Sequence, residues 1–291
     1  MGDGVLFAQP FDAAGLRLAG EPTALTSGVA TGVARNNPDL SVSATGILAY
    51  RDTGKSTARL VLLDRQGKQV GAVRGEADFY ARARLSPSGR QVAYSRTTGA
   101  NLDVWIGDLG SDVTSRFTAN PGRERFPIWS PDGGTLIYES TSGAIRALET
   151  KGSDGSRAAE TLLREDAASA FWPTDWSPDG RFVFFLMTQK VFSAIWALRI
   201  QDRKVFPLLE SEFDQRGAWL SRDGKWLAFA SDEGGSTELY LRPFQVIENR
   251  PVLGNGRLQI SKNGIDSFSP VVWRADSKDW CTVGETELSC R

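Results

Sequence analysis

Hydrophobic residues along the chain come in short runs separated by clusters of Ser, Pro, Asp and Gly. No run holds the i, i+3, i+4, i+7 spacing of an amphipathic helix for long. Ala158 to Asp166 is the best helical candidate, and it is short. The other runs are rich in β-branched and aromatic residues, as in Leu136-Ile137-Tyr138, Phe182-Val183-Phe184-Phe185 and Ser193-Ala194-Ile195-Trp196-Ala197-Leu198, and predict strands. The chain reads as all-β.

One phrase recurs between the runs: an apolar anchor, a Ser/Pro/Asp/Gly turn, then a strand. Its full forms are Trp129-Ser130-Pro131-Asp132-Gly133 and Trp176-Ser177-Pro178-Asp179-Gly180. Leu85-Ser86-Pro87-Ser88-Gly89 and Leu220-Ser221-Arg222-Asp223-Gly224 differ by one turn residue. Val42-Ser43-Ala44-Thr45-Gly46 and Trp273-Arg274-Ala275-Asp276-Ser277 are degraded copies. Pro presets φ, Asp caps the turn through its side chain, and Gly accepts the positive φ of a tight hairpin. The turns end at 46, 89, 133, 180, 224 and 277, at intervals of 43, 44, 47, 44 and 53. A period of about 45 residues with this strand content predicts propeller blades of four strands each.

Six such units would occupy residues 1–291 as a single domain, a six-bladed β-propeller of four-stranded antiparallel blades. Gly4 to Phe11 resembles Leu239 to Phe244, the third strand of the fifth unit, so the N-terminal segment is expected to complete a blade. Ser269 to Trp273 and Asp279 to Val283 would give that blade its first two strands, closing the ring and removing exposed edges. Glu287 to Cys290 competes for the third place.

The turns resemble the TolB-type, WD40-like β-propeller repeats, whose signature is Trp-Ser-Pro-Asp-Gly, over nearly the whole chain. More narrowly, Val5 to Asp12, Glu21-Pro22, Ser41 to Tyr50 and Glu238 to Phe244 are similar to the C-terminal propeller of bacterial membrane-bound serine/threonine protein kinases. That resemblance implies a sensor or protein-interaction region beyond a membrane span, in a periplasmic or extracytoplasmic setting. No Gly-rich loop with its strand lysine occurs, and a His-Arg-Asp loop is impossible in a chain with His 0.

Composition sharpens this picture mainly through that zero. Without imidazole there is no Ser-His-Asp or Cys-His unit and no His-ligated metal. Lys+Arg 34 against Asp+Glu 35 lacks the basic footprint of a nucleic-acid binder. The strongest apolar stretch, Phe182 to Met187, is too short to span a bilayer, so no direct membrane insertion is expected. The opening Met1-Gly2-Asp3-Gly4 lacks the basic and apolar regions of a signal peptide. No cofactor and no metal is expected. Cys281 and Cys290 are the only cysteines. If Glu285-Thr286 is a two-residue hairpin loop, the two face each other at a non-hydrogen-bonded position. A disulfide there implies an oxidising compartment; two reduced thiols are the alternative.

Candidate sites follow from blade geometry. Segments leading into the innermost strands line a mouth of the central channel, where convergent polar and aromatic groups form the default binding site. They carry Tyr80 and Arg82, Arg123 and Arg125, Phe171 and Trp172, Asp214 and Arg216, and Asp266. The arginines point to an anionic or carboxylate-bearing partner; a solvated rim of ion pairs is the bland alternative. Trp129, Trp176 and Trp273 sit at the repeat phase and should pack between blades, whereas Trp172 breaks it and is a candidate stacker. The expected function is a monomeric, non-catalytic propeller that binds a protein or peptide. The alternative is a carboxylate-dependent carbohydrate-active enzyme, which needs two carboxyl groups about 5 to 9.5 Å apart.

Overall fold

A computed structural model describes residues 4–8, 11–12, 17–18, 21, 23–29, 40–42, 48–52, 59–63, 68–73, 80–98, 101–111, 113–166, 170–189, 192–262, 264, 271–273, 280–283 and 287–290. The described chain begins with β1 (Gly4–Ala8), β2 (Phe11–Asp12), β3 (Arg17–Leu18) and β4 (Thr23–Val29). Five successive groups follow. They are β5 to β8 (Leu40–Val42, Leu48–Asp52, Arg59–Leu63, Gln69–Ala72) and β9 to β12 (Tyr80–Leu85, Gln91–Thr98, Asn101–Asp108, Thr114–Arg116). Next are β13 to β16 (Arg123–Trp129, Thr135–Ser142, Ile145–Gly152, Glu160–Asp166) and β17 to β20 (Ala170–Trp176, Phe182–Gln189, Phe192–Arg199, Val205–Leu209). The fifth is β21 to β25 (Gln215–Leu220, Trp226–Ser231, Glu238–Ile247, Arg250–Leu253, Leu258–Gln259). Last come β26 (Val272–Trp273), β27 (Trp280–Val283) and β28 (Glu287–Cys290). The helical candidate at 158–166 is strand β16, which pairs antiparallel with β15.

Repeated four-stranded antiparallel sheets resembling propeller blades are thus the unit of the fold. Their first two strands are joined by the recurring turn. Gly89, Gly133, Gly180 and Gly224 have φ of 70 to 74°, and each donates its N–H to the carbonyl of the turn serine. The serine does more than the sequence reading gave it. Ser86, Ser130, Ser177 and Ser221 accept through Oγ from the N–H of Gln91, Thr135, Phe182 and Trp226, at 3.1, 2.9, 2.8 and 2.9 Å. Three of them donate to the turn aspartate, Asp132, Asp179 or Asp223, at 2.5 to 2.6 Å. The phrase is therefore a small hydrogen-bonded network that fixes the hairpin.

Strands alternate faces, and here both faces are covered. Phe182, Phe184 and Leu186 pack toward Leu220, Leu227 and Phe229 of the following sheet. Val183, Phe185 and Met187 pack toward Ile128, Ile137 and Leu148 of the preceding one. This explains why β18 is apolar without alternation. Similar layers join β5–β8 to β9–β12, β9–β12 to β13–β16, and β21–β25 to β26. The repeat tryptophans seal them. Trp129 donates Nε1–H to the Arg84 carbonyl at 2.8 Å, and Trp273 donates to the Trp219 carbonyl at 3.0 Å.

The two ends of the chain meet in one sheet, ordered β26-β27-β28-β1-β4-β6-β7-β8 with β5 against β6. The competition for the third strand resolves in favour of β28, which pairs antiparallel with β27. The N-terminal strand is a neighbour and not a rival: β1 lies parallel to β28, with Val5 opposite Glu287 and Leu6 opposite Leu288. Sequence similarity to a third strand misplaced β1 because an outer strand presents the same short apolar alternation.

Candidate functional site

The innermost strands β9, β13, β17 and β21 share an irregularity. Each has a register break against its partner, near Ala93/Ser95, Arg125/Ile128, Pro173/Asp175 and Arg216/Trp219. The residues three positions before the apolar anchors are Arg82, Phe126, Pro173 and Gly217. Arg82 and Phe126 both have φ of 58°, and Gly217 has 64°. Proline cannot adopt that conformation, and β17 instead accommodates its break with Thr174, whose hydroxyl donates to the Ala218 carbonyl at 2.9 Å. A left-handed Phe or Arg costs on the order of 1–3 kcal/mol, and such strain gathers at binding sites.

All four of these residues line one pocket, together with Arg84, Pro127, Ile128, Trp172, Thr174 and Leu186. Phe126 is its aromatic centre. The Arg82 guanidinium lies 5.2 Å and the Arg125 guanidinium 4.9 Å from the centroid of its ring. Trp172 tilts against the same ring at 6.3 Å and 55°. No carboxylate is among the lining residues. The pocket is therefore cationic and aromatic, suited to a planar anion such as a carboxylate.

The predicted mouth residues divide accordingly. Arg82 and Trp172 line the pocket. Arg125 stacks on Phe126 and is held in place by Glu139, to which its Nη2 donates at 3.1 Å and its Nε donates as well. Glu139 is fully buried and also binds Arg146 at 3.0 Å. Arg216 does not line the pocket; it pairs with Asp214 at 2.6 Å, as an ion-paired rim would. Tyr80 opens β9, and its side chain lies outside the described residues, as does all of Asp266. Phe171 is wholly buried in the layer between the third and fourth sheets.

Sequence reading missed Arg84, Phe126, Thr174 and Gly217. Arg84 sits near Asp175, which accepts from the Leu220 N–H at 2.9 Å. Burial nevertheless raises the Asp175 pKa against the pull of Arg222 and Arg84. A second buried carboxyl lies away from the pocket. Glu124 is fully buried, and its pKa is pushed up to about 7 by burial and by the carboxylates of Asp103 and Glu149, against the Thr118 hydroxyl and Arg116.

Among the described residues, no group of three or more His, Cys, Asp or Glu is placed to hold a metal ion. No helix among them is long and apolar enough to cross a membrane. Consecutive blade-like sheets with a pocket among their innermost strands give an all-β fold that resembles a β-propeller. No protein-family profile matches the chain. It is 26% identical over 179 residues to the Tol-Pal system protein TolB of Anaeromyxobacter dehalogenans, covering 59% of this chain and 36% of that protein. The chain thus spans little more than a third of the length of this curated relative. The crystal structure of TolB from Acinetobacter baumannii superposes with a TM-score of 0.65 at 16% identity, covering 90% of this chain and 64% of that one. A protein assigned as TolB from Agrobacterium tumefaciens gives 0.65 at 17% identity, with 96% of both chains covered. The chain is TolB-like at low identity, and the structural likeness concerns the fold.

Proposed function

We propose that the chain is a single six-bladed propeller, closed where β28 meets β1, that binds a protein or peptide through an acidic group and performs no chemistry. The observation that carries the binding reading is the pocket of Arg82, Arg84, Phe126 and Trp172, with two strained residues and no carboxylate in its lining. Closure is supported by the five apolar layers between successive sheets and by the Trp273 bond to the fifth sheet. The carbohydrate-active alternative needs an acid/base pair at the pocket, which the described lining does not supply. The name of the Anaeromyxobacter relative, a Tol-Pal system protein, fits a periplasmic protein-binding role. A sensor role attached to a membrane-bound kinase rests on the resemblance of residues 5–12, 21–22, 41–50 and 238–244 alone.

An array of immobilised peptides, each in a carboxylate and an amide-neutralised form, tests this reading. Retention should favour the acidic members. Arg82→Ala with Arg84→Ala should lower that retention roughly tenfold to a hundredfold, the worth of hydrogen bonds to a charged group. Arg216→Ala, whose guanidinium is already paired with Asp214, should have the smaller effect. Equal retention of both peptide forms, or an unaffected double variant with native circular dichroism, rejects the pocket as the site.

A further inference from the structure

The chain has two cysteines, and the backbone brings them together. In the antiparallel β27–β28 pair Cys281 stands directly opposite Cys290, with Thr282 opposite Ser289 and Val283 opposite Leu288. This is the register expected of a tight hairpin, with every pair in step and no break between them. Directly opposed residues on neighbouring antiparallel strands have the backbone spacing that a disulfide spans.

The position of this pair in the sheet gives it a consequence. On its other edge β28 holds β1, the strand from the opposite end of the chain, in parallel register. Parallel pairing is slightly weaker per residue than antiparallel pairing, and among the described residues Val5↔Glu287 and Leu6↔Leu288 define it here. Anything that fixes β28 against β27 therefore presents β1 with a preformed edge. If β28 frays, β1 loses that neighbour and the sheet gains two exposed edges.

We propose that Cys281 and Cys290 form an intramolecular disulfide that acts as a redox-controlled clasp, holding β28 in register so that β1 can pair with it. The two thiols lose two protons and two electrons as the S–S bond forms. A low-molecular-weight disulfide accepts them and is cleaved to two thiols. A thiolate of one cysteine attacks that disulfide and expels one small thiol, and the second cysteine then attacks the resulting mixed disulfide at the protein sulfur and expels the other. The loop so closed is short, and in the chain-entropy model the link favours the paired hairpin roughly a hundredfold. The inference rests on register and topology, independently of what the pocket binds.

The test uses the full chain, equilibrated with oxidised glutathione or with dithiothreitol. Thiols are counted by maleimide labelling in denaturant, the link is mapped by mass spectrometry, and amide hydrogen exchange is followed at residues 4–8 and 287–290. After oxidation no thiol should label, the 281–290 link should be found within a monomer, and exchange in both segments should slow by roughly tenfold or more. The double variant Cys281→Ser with Cys290→Ser should exchange like the reduced protein under both conditions. Two labelled thiols after oxidation, or a link between two chains, would overturn the disulfide. Exchange at residues 4–8 that ignores the redox state would overturn the clasp.

Discussion

Gly217→Ala compared with Gly180→Ala isolates what the bulge in β21 costs. Both glycines have positive φ, 64° and 74°. At Gly180 an added Cβ meets nothing within 4 Å, whereas at Gly217 it would overlap the indole of Trp219. A left-handed alanine costs about 1–2 kcal/mol, offset by about 0.4–1 kcal/mol from its stiffer unfolded chain. Gly180→Ala should therefore lose roughly 1 kcal/mol or less. The second variant must also displace Trp219, which is 5% exposed and packed with Ala228, Leu239, Ile260 and Trp273. Overpacking of that kind adds about 1–3 kcal/mol, so Gly217→Ala should lose roughly 2–4 kcal/mol in all. Urea unfolding followed by circular dichroism measures both, provided the slope is unchanged. In a Trp219→Ala background the two alanine substitutions should become equivalent, a coupling that a double-mutant cycle reads directly. Equal losses in the parent protein would refute the steric account of this glycine.

Three other perturbations probe the site and its support. At Arg82, where φ is 58°, glycine should be more stable than alanine by about 1 kcal/mol, the reverse of the order in a regular strand; alanine at or above glycine in urea midpoint would deny the strain. Glu139→Ala leaves the Arg125 and Arg146 guanidinia without their buried partner and should cost about 3–5 kcal/mol, so a loss below that of an exposed ion pair would show Glu139 to be dispensable. Glu124 has its pKa raised from 4.5 to about 7, so the folded protein keeps a proton that the unfolded chain releases. Stability from this group is full below pH 4.5, falls as pH rises, and is lost by about pH 7. The total is on the order of 3 kcal/mol. Glu124→Gln should flatten the urea midpoint over that window, and an unchanged slope would place the titration elsewhere. Asp132 and Asp154, whose carboxylates accept turn hydrogen bonds, have lowered pKa values, so their contribution is present above the ordinary 3.8 and is lost as pH falls below it.

The repeating sheets were legible because the turn phrase is local. Ser177, Asp179 and Gly180 satisfy one another within a few residues, so the same letters give the same hairpin wherever they occur. The tryptophans at the repeat phase were legible for a related reason, since Trp129, Trp176 and Trp273 are all buried where the period puts them. The joining of the two ends was only half legible. Pairing between β1 and β28 is a contact of maximal sequence separation, and no local preference distinguishes a third strand from a fourth.

The pocket was the least legible part, and the bulges explain why. In an unbroken strand, alternate residues share a face, so a mouth residue in one sheet implies the equivalent residue in the next. Aligned on their anchors, Arg125, Trp172 and Arg216 are equivalents, yet only Trp172 lines the pocket. The residue one place later lines it in every one of the four strands: Arg82, Phe126, Pro173 and Gly217. A register break permits this by letting two consecutive residues oppose one. Only Gly217 advertises such a break in the sequence, because Arg, Phe and Pro at that place carry no sign of unusual backbone. Position, not residue type, is what these strands have in common. Four unrelated residues are brought to one cavity by one backbone device, the register break of the innermost strands, and on the proposed reading that device sets where a ligand would sit. Two of the four, Arg82 and Phe126, hold left-handed backbone at these breaks.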